Sequence, residues 1–180
     1  MSAAEHQLSR LKDPTSRNNA IVRLSIISSW QASGPEEILA AAGLIPALIE
    51  IFVETPLTDW HIKCLLDIFK DLASCDKTRS ALTKDHRMIS GLMFYSRNED
   101  EYLAKPALEV LEGLSCLPRE REILSGEDVF SLYSMIIKTC NKGLLAPLVG
   151  LITNLLYHKE IQKTMYRNES DSNINGLIAE

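Results

Sequence analysis

Leu151-Ile152-Thr153-Asn154-Leu155, near the end of the chain, is the third appearance of one short phrase. Val110-Leu111-Glu112-Gly113-Leu114 and Ile68-Phe69-Lys70-Asp71-Leu72 come before it, and the three closing leucines lie 42 and 41 residues apart. An earlier partner, Leu24-Ser25-Ile26-Ile27, ends 45 residues before Leu72. A second ladder, Ile45/Leu48, Ile89/Leu92, Val129/Leu132 and Ile174/Leu177, keeps steps of 44, 40 and 45. Two ladders with one period mark a chain assembled from repeated units. Inside each unit apolar residues recur at three and four, the spacing of helix faces.

Composition agrees with helices. The 180 residues include 26 Leu and 17 Ile against 5 Val, and only 8 Gly and 7 Pro. Scarce turn formers and few β-branched residues other than Ile favour helix over sheet, and no strand signal appears. At 46% hydrophobic and 24% charged, the chain can bury a core and is not wholly disordered. The expectation is one all-α domain over 1–180, with approximate units 1–33 (partial), 34–75, 76–116, 117–157 and 158–180 (partial).

Punctuation divides each unit into a short, a middle and a long helix. In the first full unit Gly34-Pro35-Glu36-Glu37 opens the short helix. Gly43 closes it, Pro46 sits in the first turn of the next, and Thr55-Pro56 ends that one. The long helix is expected from about Thr58 to Ser74. The second unit turns at Asp76, Lys84-Asp85 and Asn98-Glu99-Asp100, the third at Pro118, Ser125-Gly126 and Asn141-Lys142-Gly143. Before them stand a helix opened by a Ser2-Ala3-Ala4-Glu5 capping box and a longer one from about Thr15 to Trp30. Pro106 and Pro147, 41 apart, fall either inside the long helices or at a shared late start.

The pattern resembles the armadillo repeat family. Ala41-Ala42-Gly43-Leu44-Ile45-Pro46-Ala47-Leu48-Ile49 is similar to that family's junction between first and second helices. Gly150-Leu151-Ile152-Thr153-Asn154-Leu155 is similar to its third-helix close. The glycine position is not kept in the next two units, where Arg87 and Asp128 stand near it, and the two-helix HEAT repeat is the nearest competing label. The resemblance implies a right-handed α-solenoid of three-helix repeats, about three full and partial ones at both ends. It also implies a non-enzymatic scaffold that binds a partner along its third helices. Pro147 to His158, together with Thr78-Arg79 and Leu82, also resembles the N-terminal armadillo domain in the family of the cancerous inhibitor of protein phosphatase 2A. That likeness implies the alternative of a phosphatase regulator or a fragment of one.

Chemistry for catalysis is missing. No Walker loop, GxGxxG, HExxH or GxSxG occurs. His86 and Ser90, four apart, would share one helix face with Asp85 next in sequence, but adjacent helix positions seldom supply the orienting acid and oxyanion donors a nucleophile needs. His61 and Cys64, one turn apart, are too few for zinc, so neither metal nor cofactor is expected. The four cysteines, Cys64, Cys75, Cys116 and Cys140, have no CxxC pairing and read as reduced, buried thiols of a cytoplasmic or nuclear protein. A net charge of −5 disfavours nucleic acid, and no apolar run is long enough to span a bilayer.

Armadillo importins carry Trp and Asn four residues apart on each third helix. The matching positions here are Asp67/Asp71, Glu109/Gly113 and Gly150/Asn154, so only Asn154 keeps the pattern and an import adaptor is disfavoured. Asp67, Asp71, Glu109 and Glu112 instead make an acidic strip, joined by Asn154, which is expected to attract a protein partner with a basic segment. Lys63 and Lys105, each four residues before an acid, are the groups that could balance it. Asp71 and Glu109 are expected to be exposed. Ile174, Leu177 and Ile178 begin a second helix with no third after it, which suggests a fragment, a truncated form or a homodimer joined at that edge.

Overall fold

The computed structural model describes residues 3–29, 38, 41, 43–116, 118, 121, 124, 131 and 141–157. Eight helices lie in those residues, with no strand among them: α1 (Ala3–Lys12), α2 (Arg17–Ser28), α3 (Leu44–Glu54), α4 (Asp59–Ser74), α5 (Asp76–Leu82), α6 (His86–Ser96), α7 (Glu101–Leu114) and α8 (Lys142–Leu156). They stack in two rows. Third helices form one, with α2 on α4, α4 on α7 and α7 on α8; second helices form the other, with α1 on α3 and α3 on α6. Each unit thus buries its apolar stripe against the units beside it, as repeat arrays do.

Punctuation works as capping chemistry. Asp85, Asp100 and Asn141 each accept a hydrogen bond from the backbone N–H two residues on, at 3.0, 2.9 and 3.1 Å, opening α6, α7 and α8. Gly43 precedes α3 at φ +83°, and open space lies around it, so the backbone alone demands glycine there. Thr55 ends α3 in extended conformation because Pro56 disfavours helix at the residue before it. Thr58 adjoins Asp59, the first residue of α4, which runs to Ser74 as expected. Pro106 and Pro147 are interior, each the sixth residue of its helix and buried. The Ser2 capping box, the turns at 34–37 and 125–126, and the C-terminal edge at 158–180 lie outside the described residues.

Two connections carry a shared device that the sequence reading missed. Ser16 and Arg17 reach back six residues to the Arg10 and Leu11 carbonyls, both at 2.9 Å. Thr78 and Arg79 do the same to Leu72 and Ala73, the arginine at 2.7 Å. These carbonyls lie in the last turns of α1 and α4, where no intrahelical donor remains. A guanidinium also suits the negative end of a helix. Arg121 stands seven residues after Leu114, as Arg79 does after Leu72, and reaches the Cys116 carbonyl at 3.5 Å.

The core is continuous along the rows. Leu72 and Leu114 are fully buried and Leu155 is 3% exposed, as the ladder required. Ile45, Leu48, Ile89 and Leu92 are buried too; their partners at 129, 132, 174 and 177 lie outside the described residues. Phe52 of α3 meets Phe69 of α4 edge-on at 5.3 Å and Tyr95 of α6 at 5.2 Å, tying both rows together. The expectation of uniformly buried cysteines is corrected: Cys64, inside α4, is buried, whereas Cys75 and Cys116, which follow the ends of α4 and α7, are half-buried and exposed. Cys140 lies outside the described residues.

Candidate partner-binding surface

Helical period decides what the third helices present. Trp60, Lys63, Asp67 and Asp71 fall on one face of α4, and Tyr102, Lys105, Glu109 and Gly113 on the matching face of α7. Stacking α4 on α7 therefore sets like beside like: two aromatics, two lysines, two acids. Trp60 is 58% exposed and Tyr102 40%. Between α4 and α7 lies an open cleft of about 420 Å³, lined by Lys63, Lys70, Glu101, Tyr102, Lys105, Pro106 and Glu109.

The acids are brought together, but they do not stand free. Lys63 holds Asp67 at 2.6 Å and lies 5.9 Å from the centre of the Tyr102 ring. Lys70 reaches across from α4 to Glu109 at 3.4 Å and sits 3.9 Å from Asp67. Lys63 thus plays its expected balancing part, whereas Glu109 is balanced by Lys70 and not by Lys105. Asp67 and Glu109 keep about a third of their side-chain surface, so the expected exposure of Glu109 is corrected to half-burial.

Asp71 departs further from expectation. It is half-buried and accepts a 2.7 Å hydrogen bond from Ser28 of α2. Burial pushes its carboxyl above the usual carboxylate value, with the Ser28 bond pulling the other way. Asn154, its counterpart on α8, donates to the Ser115 hydroxyl at 3.0 Å and to the Glu112 carbonyl at 3.4 Å. At the middle position a side chain on Gly113 would meet Ala73 at 3.1 Å, so glycine lets the helices close up there. One register position therefore joins neighbouring units three times, as Asp71 to Ser28, Gly113 to Ala73 and Asn154 to Ser115. The signal was in the sequence: Ser28, Ala73 and Ser115 each follow a closing ladder residue directly.

Glu112 packs its carboxylate into space left by Gly150 on α8. Burial and the neighbouring Glu109 charge both raise its carboxyl above the ordinary range. Of the five expected site residues, Glu109 lines the cleft, Asp67 stands beside it paired with Lys63 and Lys70, Asp71 and Asn154 join units, and Glu112 lies between α7 and α8. The sequence reading missed Lys70 and Tyr102 here. Among the described residues no three His, Cys, Asp or Glu side chains gather as metal ligands. No described helix is long and apolar enough to cross a membrane.

No family model matches the chain, and no curated protein matches it by sequence. Solved structures do. A designed armadillo repeat protein in complex with the peptide (KR)4 superimposes with a TM-score of 0.78, covering 92% of this chain and 70% of its own at 17% identity. A second designed armadillo repeat protein gives 0.77 over 91% and 69% at 16% identity. An engineered protein gives 0.74 over 89% of this chain and 39% of its own at 18% identity. Two rows of stacked helices, the interior register and these superpositions together give the chain the armadillo-repeat fold.

Proposed function

We propose that this protein is a non-enzymatic scaffold that holds a partner protein's basic segment across its third helices. The observation that carries the reading is the outer face of α4 and α7, where Asp59, Asp67, Glu101 and Glu109 stand with Lys63, Lys70 and Lys105 beside two exposed aromatic rings. Aromatic residues on a surface are frequent binding anchors, and the acid excess favours a basic partner. Asp67 and Glu109 face that partner, while Asp71, Glu112 and Asn154 keep the units in register beneath it. A designed protein of the same fold holds the peptide (KR)4, which supports a basic segment as occupant. Free thiols at Cys64, Cys75 and Cys116 support a reducing compartment, the cytoplasm or nucleus.

Affinity capture with mass spectrometry tests the reading, using wild type and the Asp67→Lys/Glu109→Lys variant. Partners with basic segments should be recovered by the first and lost by the second. Identical recovery by both contradicts it. A phosphatase regulator is the second reading, supported by the exposure of Val149 and Tyr157 within the 147–158 run. Phosphatase subunits captured by wild type and lost from a Val149→Asp/Tyr157→Asp variant would favour it.

A further inference from the structure

Of the seven prolines in the chain, Pro56 alone follows a serine or threonine. Its ring keeps Thr55 out of helix, and the threonine stands extended at φ −105° and ψ 126°. Residues 56–58 continue without helix to the start of α4, and Glu54, Pro56, Thr58 and Asp59 around Thr55 are exposed. The half-buried Thr55 hydroxyl makes no hydrogen bond among the described residues. Extended segments are what other proteins' clefts take up. A free hydroxyl followed directly by proline is the pattern that proline-directed protein kinases accept.

Thr55 also lines a cleft of about 430 Å³ between the α1–α2 turn and α3, where Lys12, Arg17, Glu50 and Glu54 are the charged groups. Glu54 is already matched by Arg87 of the next unit. Arg17 spends its Nε on the Leu11 carbonyl at 2.9 Å, and its two terminal nitrogens make no hydrogen bond or ion pair among the described residues. Lys12 makes none either. The cleft thus sets two cations with donors to spare against one unmatched acid, Glu50. We propose that Thr55 is a phosphorylation site for a proline-directed protein kinase, and that Lys12 and Arg17 receive the phosphate and clamp the α1–α2 turn onto α3. In that step Thr55 Oγ1 attacks the γ-phosphorus of ATP and an O–P bond forms. The bond from that phosphorus to the bridging oxygen breaks, ADP leaves with the electron pair, and the hydroxyl proton passes to the kinase's base. Phosphothreonine carries about −1.5 to −2 charges at neutral pH. At the negative end of α3, beside Glu50 and Glu54, it destabilises the protein unless the two cations answer it.

The test incubates the full chain with a purified proline-directed kinase and ATP and maps the product by tandem mass spectrometry. One phosphate should enter, at Thr55, and Thr55→Val should take up none. Phosphorylation should raise the thermal midpoint by about 2–4 °C. In Lys12→Ala and in Arg17→Gln the same comparison, modified against unmodified, should show no rise or a fall. Comparing each variant with itself removes the part that Arg17 plays in capping α1. No phosphate at Thr55 overturns the inference, as does an equal rise in wild type and Lys12→Ala. Phosphorus NMR of the modified wild type gives a second reading that needs no variant, so it decides even if Arg17→Gln fails to fold. Two receiving cations should pull the second ionisation of the phosphate below its ordinary value of about 6, whereas a value at or above that overturns the clamp.

Discussion

Ser28 and Asp71, 43 residues apart in sequence, are joined by a 2.7 Å hydrogen bond between neighbouring third helices. Asn154 and Ser115 repeat the link two units later at 3.0 Å. Ser28 is 1% exposed, so its hydroxyl has no water to fall back on. Ser28→Ala should therefore lower stability by about 1–3 kcal/mol, because it strips a half-buried carboxylate of its donor. Urea unfolding checks this, and a change below about 0.5 kcal/mol would show the link to be incidental.

Asp71 also gives a pH dependence with a definite sign. Its folded carboxyl titrates above the ordinary value of 3.8, so the stability it contributes is present below that value and lost as pH rises through the raised one. Asp71→Asn keeps an acceptor for Ser28 and removes the charge. At pH 7 the variant should match or exceed wild type in stability, and its advantage should vanish as pH falls below the ordinary carboxylate range. Asp13 and Asp85, both held below that range by hydrogen-bonded neighbours, destabilise both proteins alike in acid and cancel in the comparison.

The central ladder position is the place to test repeat coupling. Leu114 is fully buried in α7, which packs on α4, α6 and α8. Leu114→Ala should cost about 2–5 kcal/mol, and more than Leu155→Ala, whose helix packs on fewer described neighbours. Denaturant melts in which both variants stay within about 0.5 kcal/mol of wild type would contradict the shared register.

Arg79 closes α4 and is 6% exposed. Its bond to the Ala73 carbonyl is buried, whereas its ion pair is with Asp76, whose side chain is 81% exposed. Arg79→Ala should cost about 1–3 kcal/mol by orphaning that carbonyl, while Asp76→Ala should change stability by less than about 1 kcal/mol. The reverse ranking in thermal melts would mean that the ion pair, and not the cap, holds the turn.

Much of the fold was legible because repetition reports itself. A period near 41 residues placed Leu72, Leu114 and Leu155 in one buried row, and Asp85, Asp100 and Asn141 announced helix starts by their side-chain chemistry. Which carboxylate stays in water was not legible. Asp67 and Asp71 lie one turn apart on α4, yet only Asp71 reaches the α2 hydroxyl, and that depends on how closely the helices pack. Lys105 has helical spacing to Glu109, but Lys70 from the neighbouring unit is the group that arrives. Local spacing sees partners along one helix and is blind to partners across two. Thr78-Arg79 shows the same limit: the sequence offered it as a family likeness, and the structure shows it sealing the end of α4.

The most direct measurement of the central claim is the association rate of the peptide (KR)4 with wild type and with Asp67→Asn/Glu109→Gln, by stopped-flow fluorescence of Trp60 across a salt series. Exposed charges steer association and are screened beyond about 8 Å at physiological ionic strength. Wild type should associate fastest at low salt and slow steeply as salt rises, and the double variant should be slower with a much flatter salt dependence. Equal rates and equal salt slopes for the two proteins would contradict the claim that the third-helix face binds a basic partner.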